Sequence, residues 1–383
     1  MKNKALRIVL QVLSYVLVAV TAAGLTSLLG SNKMTELEWF IKHRYVDEAS
    51  VDYEALEDVA AAAMIDALPD GWSYYVSAKD YAAYEADRAN TFVGVGITVQ
   101  VREEKDGFDI LQVTKGGGAE KAGILPGDVL VEVAGQGVAG MTTSQVSDLI
   151  RGEAGTTVKL GVLREGQKKE FTVERAVIQV QVVTSAMVTE DVGYIRIENF
   201  HDRSAEDAIA AVEQLRSQGA TALVFDVRGN PGGYKDQLVK LLDYLLPEGE
   251  LFRSVDYKDK EEVDKSDASC VKMPMAVLMD GNSYSAAEFF AAALEEYGWA
   301  TTVGEQTVGK GHFQVTYRLK DGSAVALSSG RYYTPKGVSL SDVGGLTPNI
   351  PVEMDDETAA KLYSGILPYE EDPQLQAAVE AVK

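Results

Sequence analysis

One cysteine, Cys270, stands in the 383 residues, so no intramolecular disulfide can form and no thiolate cluster can hold zinc. Histidine is nearly as scarce. His43, His201 and His312 are scattered without metal-ligand spacing, and neither a metal nor any other cofactor is expected. Positive charge is also short: 36 basic against 58 acidic residues leave a net charge of −22. Phosphate binding needs a basic surface, so a nucleic-acid partner is not expected. No tandem repeat is visible. What the chain does have is apolar residues, 46% of the total, which excludes a disordered polymer and supplies cores for two or three domains.

The start is distinctive. Lys2, Lys4 and Arg7 precede a run from Ile8 to Asn32 that carries no charge. Its apolar part is about long enough to cross a hydrocarbon layer of roughly 30 Å as a helix. Basic residues before it and an acidic body after it predict a single-pass segment, residues 1–30, that anchors an extracytoplasmic body in the cell membrane. The competing reading is a cleaved signal peptide with a small-residue site before Ala23, which would release a secreted body.

Three textures follow. Residues 31–90 read as helical, through "YEALEDVAAAAMIDAL" and up to the break at Pro69-Asp70-Gly71. No chemistry shows there, and packing or a homodimer contact is the default role. Residues 91–178 change to short β-rich runs with glycine punctuation, a small β module with one or two helices. From 179 to 383 strands and helices alternate, which predicts an α/β core with largely parallel pairing. Within it the acidic tract "SVDYKDKEEVDKSDAS" reads as a solvated loop.

The chemistry centres on "GNSYSAAEFFAAALEEYG", Gly281 to Gly298. Ser285 with Glu288 three residues on is a capping box ahead of an Ala-rich helix. It is equally a serine at a strand-to-helix junction, where α/β sheets form active sites, although the letters G-x-S-x-G are missing. The residues alone leave both roles open, since a serine nucleophile needs a base. Lys310, between Gly309 and Gly311, is the candidate. To act as a base it must be neutral, so its pKa has to fall by about three from ~10.4, and desolvation is the natural cause. Strand alternation would put Lys310, His312 and Gln314 on one face, with direct contact between Lys310 and Gln314 only if the glycines curl the loop. An oxyanion needs fixed N–H donors, each contributing about 3 kcal/mol. The Ala286 amide is the obvious first, and Gly232 or Gly233 of "NPGG" the second. Asp226 and Arg228 fit a role in pinning that loop.

These pieces resemble a known family. "DVRGNPGG", "SYSAAE", "GEQTVGKGHFQ", "YYTPKG" and "GLTPNIPVE" are similar, in kind and order, to the motifs of the carboxy-terminal processing peptidases, tail-specific serine proteases. The resemblance runs from about Thr35 to the C-terminus. "AGILPGDVLVEVAGQGV" and its flanking strands resemble a PDZ domain placed where that family has one. It implies an α/β core of the ClpP–crotonase kind with an inserted PDZ domain and an N-terminal helical region. By the same resemblance Ser285 is the nucleophile, Lys310 its base and Gln314 the residue that orients the lysine. "FVGVG", comprising Phe92, Val93, Gly94, Val95 and Gly96, would be the loop that grips a peptide's terminal carboxylate. The substrates implied are proteins or peptides with unstructured C-termini. Two departures stand out. The family's S-A-S-A-S-E is here "NSYSAAE", which makes Ser283 a rival nucleophile, and His312 replaces a small residue beside the lysine. The alternative function is a catalytically silent adaptor that binds tails.

Overall fold

The computed structural model describes residues 32–383 and forms two compact units, one ending at Ala67 and the other running from Leu68 to Lys383. The expected anchor, residues 1–30, lies outside the described residues. Among the described residues no helix is long and apolar enough to cross a membrane.

In the first unit, Asn32 caps the helix Lys33–Arg44 and Asp52 caps Tyr53–Asp66, each accepting a backbone N–H three residues on. Neither helix buries a residue, and Leu37, Trp39 and Phe40 are exposed.

The second unit is built on a six-stranded sheet in the order Val183–Met187, Val192–Ile197, Ala222–Asp226, Met275–Met279, Ala300–Gly304, Ile350–Pro351. The first pair is antiparallel and every later pair parallel, as the strand-helix alternation predicts. "ALVFD" and "MAVLM" are buried throughout, because both faces of the sheet are covered. Leu223, Phe225 and Val277 share one core with Leu215, Leu238 and Phe290 from three helices. Ala222, Val224 and Ala276 face the other way, onto Leu375, Ala378 and Val379 of the C-terminal helix Pro373–Ala381.

A second sheet brings Tyr74–Val76, Ala324–Tyr333, Gly249–Asp256 and Glu261–Ser266 together, with His312–Arg318 also paired to Ala324–Tyr333. Two expectations are corrected here. The stretch 31–90 is not helical throughout: "YYV" at 74–76 is a strand paired with Ala324–Ala326. The acidic tract is not a loop but much of an antiparallel hairpin, in which Ser254↔Glu262 and Val255↔Glu261 face each other. Its charges are compatible with a strand because they are paired: Arg253 with Glu250 and Glu261, and Lys235 with Asp264.

The small β module is an antiparallel sheet in the order Ile97–Val101, Phe108–Val113, Val129–Val133, Thr157–Arg164, Gln167–Glu174. Phe108, Ile110, Leu130 and Leu160 form its core with Val146 from the helix Thr143–Ile150, whose capping box joins Thr142 and Gln145. Ile97–Val101 and Gln167–Glu174 are its two edge strands.

Candidate active site

Ser285 follows the strand Met275–Met279 and opens the helix Ala286–Glu296. Its backbone, φ 59° and ψ −123°, lies far from the extended conformation of an ordinary N-cap. The capping-box letters are therefore only half the story. The serine sits on a strained strand-to-helix turn of the kind the missing G-x-S-x-G would have announced. Ser283 is fully buried, donating to the Val227 carbonyl (2.7 Å) and accepting from the Asp280 amide (3.0 Å). It is committed to holding the turn.

The second strand-end loop, "NPGG", packs against this turn. Asn230 donates to the Ile197 carbonyl (2.7 Å) and accepts the Gly232 amide (2.8 Å), while its own carbonyl takes the Tyr284 N–H (3.2 Å). Gly232 has φ +90°, and a Cβ there would lie 2.7 Å from both the Ala286 nitrogen and Ser285 Cβ, so only glycine fits. Among the described residues, the Ala286 and Gly233 amides have no acceptor.

The third piece is the loop carrying Lys310. The residue is 9% exposed, and its Nζ lies 4.8 Å from the Trp72 ring centroid and 6.0 Å from that of Tyr284. Burial among these rings pushes the amine's pKa down to about 8. Tyr332 donates to the Lys310 carbonyl (2.5 Å). Gln314 does not touch the amine. Its amide donates to Ser328 Oγ (2.9 Å) and the His312 carbonyl (3.2 Å). The strand begins only at His312, so alternation does not extend to Lys310. His312 is half-buried, with its imidazole pKa lowered by burial.

One carboxylate joins serine and lysine. Glu288, fully buried, accepts the amides of Ser285 (3.0 Å), Gly309 (2.8 Å) and Lys310 (2.7 Å) and the Thr307 hydroxyl (2.8 Å). Burial raises its carboxyl above the ordinary range, and the four hydrogen bonds work against that rise. Ser285, Ala286, Gly232, Gly233, Lys310 and Gln314 all line one cavity of about 1070 Å³.

In the β module, Thr91–Gly94 pairs with Ala176–Gln179, so Phe92, Val93 and Gly94 are strand rather than loop. Only Val95 and Gly96 form the turn. Their carbonyls accept from Ala119 (2.8 Å) and Thr114 (2.9 Å), and their amides have no acceptor among the described residues.

Residues 191–352 match peptidase family S41, and residues 110–164 match the PDZ domain. The carboxy-terminal processing protease CtpB of Bacillus subtilis is 30% identical over 336 residues, 86% of this chain and 69% of its own. The chain belongs to peptidase family S41. CtpA of the same organism is 35% identical over 310 residues, 80% of this chain but 66% of that protein's length. A solved structure from Bacteroides fragilis, described as an S41 protease, shares the fold with a TM-score of 0.52 at 20% identity, covering 88% of this chain and 92% of its own.

For this S41 member the sequence missed three contributors. Glu288 read as a helix cap, because letters three apart cannot show that the same carboxylate also reaches a loop 21 residues on. Trp72 and Asp70 lie in a stretch with no visible chemistry. Asp70 accepts the Trp72 (2.8 Å) and Ser73 (3.0 Å) amides, which hold its pKa at about 2 against the effect of burial, and this turn sets the indole beside Lys310. The signal available was Asp-Gly followed by an aromatic residue, which marks a turn but not its target.

Proposed function

We propose that this protein is a serine endopeptidase with a Ser285–Lys310 dyad. Neutral Lys310 takes the Ser285 proton as Oγ attacks the scissile carbonyl, then returns it to the leaving amine, and water releases the acyl-enzyme. The Ala286 amide supplies one oxyanion donor. Of the two glycines, Gly233 is the second, because the Gly232 N–H is already spent on Asn230. In this reading Gln314 orients the amine through its side-chain oxygen, which accepts no hydrogen bond among the described residues and lines the same cavity. The observation that carries the reading is the buried amine of Lys310 in the cavity that holds Ser285, both tied to Glu288.

Substrates are polypeptides with unstructured C-termini. The Val95 and Gly96 amides, without an acceptor among the described residues, suit a terminal carboxylate, and the edge strand Ile97–Val101 that follows them can pair with an extended tail. The uncharged run near the start supports a body held outside the cytoplasm by residues 1–30, and mass spectrometry of the mature N-terminus distinguishes retention from cleavage. Incubating the full chain with an unstructured peptide tests the whole reading. Cleavage should fall about ten-thousand-fold or more in Ser285→Ala. A wild-type protein that binds the peptide and leaves it intact is the silent adaptor.

A further inference from the structure

Arg88, the last residue of the helix Tyr81–Arg88, is an arginine without an anion. Its Nε donates to the Tyr234 hydroxyl (3.1 Å), and its guanidinium lies 4.3 Å from the Tyr234 ring centroid and 5.5 Å from that of Tyr84. Among the described residues no carboxylate stands within ion-pair distance. Other shielded arginines differ: Arg164 is paired with Asp128, Arg196 with Glu198 and Asp226, and Arg228 with Asp226 and Asp372, while Arg175, also without a carboxylate, spends its guanidinium on the Ile150 and Thr157 carbonyls and the Thr156 hydroxyl. In a chain with 58 acidic and 36 basic residues, a half-buried arginine whose fork meets neither a carboxylate nor a carbonyl is the exception among the described residues.

Arg88 lines the same cavity as Ser285 and Lys310. Five acidic residues line it too, Glu85, Asp87, Asp202, Asp236 and Glu262, but all five are exposed. Asp87 faces His201 at 3.8 Å, and Glu262 accepts from Lys260 at 2.7 Å. Exposed charges are screened over about 10 Å at 0.1 M salt, whereas a cation held between two rings is screened far less. A ligand entering therefore passes an acidic rim and meets Arg88 inside. The guanidinium has spent only its Nε–H, which leaves its Nη fork matched to a carboxylate.

We propose that Arg88 is the specificity-determining residue of this cavity and binds a carboxylate of the polypeptide lying in it. The anion is an Asp or Glu side chain near the scissile bond or the free C-terminus itself. The proposal rests on the peptidase reading above.

The test uses the full chain and internally quenched peptides in which one Glu is moved along an otherwise neutral sequence. Each is paired with its Gln version, and each terminal acid with the terminal amide. At one position the acid form should have kcat/KM about ten-fold or more above its neutral pair. That ratio should fall to near one in Arg88→Gln and stay intermediate in Arg88→Lys, with melting temperatures confirming that both variants fold. A preference confined to an internal Glu assigns a side chain, and one confined to the terminal acid and lost in Arg88→Gln assigns the chain end. Ratios near one throughout in the wild type overturn the proposal. So does a terminal-acid preference that survives Arg88→Gln, which belongs to the Val95–Gly96 turn instead. The same ratios read as binding to Ser285→Ala by fluorescence anisotropy separate the two readings: a preference retained without wild-type cleavage sinks the peptidase and leaves Arg88 in place.

Discussion

At the end of the strand Ala222–Asp226, Arg228 makes five side-chain hydrogen bonds, to Asp226, Asp372 and Gln374, of 2.6 to 3.1 Å. Asp226 in turn accepts from Tyr194 (2.6 Å), and although burial alone would raise its carboxyl, Arg228 holds it below the usual range. At the same end of the neighbouring strand Met275–Met279, the polar groups are left over. The Ala286 and Gly233 amides and the Lys310 amine have no acceptor among the described residues, and Ser285 is backbone-strained. The first cluster has nothing left to offer a ligand and ties the C-terminal helix to the sheet. The second has donors and a shielded amine aimed into a cavity. Satisfied burial marks stability, and unsatisfied burial marks chemistry.

That contrast can be broken by exchanging the two kinds of cost. Lys310→Met should abolish hydrolysis yet stabilise the fold by roughly 3 kcal/mol at pH 7, because an amine held near 8 rather than 10.5 is disfavoured when charged. The sign follows from proton uptake. Between about pH 8 and the unfolded value the unfolded chain binds the extra proton, so wild-type stability rises with pH there, and the variant should lose that slope in urea titrations. Arg228→Met should do the opposite, destabilising by about 3–5 kcal/mol through the stranded Asp226 and Asp372, as read from the urea midpoint. If both variants moved stability in the same direction, the distinction would be lost.

Smaller changes sharpen it. Glu288→Gln keeps the shape but loses the charge that four donors share, so kcat should drop about 100-fold with little change in KM. Hydrolysis in the wild type should rise through an apparent pKa of about 8 as Lys310 loses its proton. Trp72→Ala admits water to the amine, and that limb should move up by about one pH unit toward the unperturbed ~10.4. A limb that stays in place would show that the indole does not set the amine's solvation.

Legibility in the sequence followed the range of the interactions. Ser285, Lys310, the strand-helix alternation and the glycine-rich turns announce themselves locally, through spacing or through side chains out of keeping with their surroundings. The Arg253–Glu261 and Lys235–Asp264 pairs that make the acidic tract a hairpin join residues whose partnership only the fold reveals. Trp72 reaches a lysine 238 positions later, and no periodicity encodes that. The choice between Gly232 and Gly233 depended on one side-chain oxygen, that of Asn230.

The Glu288 carboxylate has a mechanical consequence. Because the serine turn and the lysine loop hang from the same two oxygens, neither can shift without tugging the other, so whatever displaces one dismantles both. On the proposed peptidase reading, the nucleophile and its base therefore move in and out of register together.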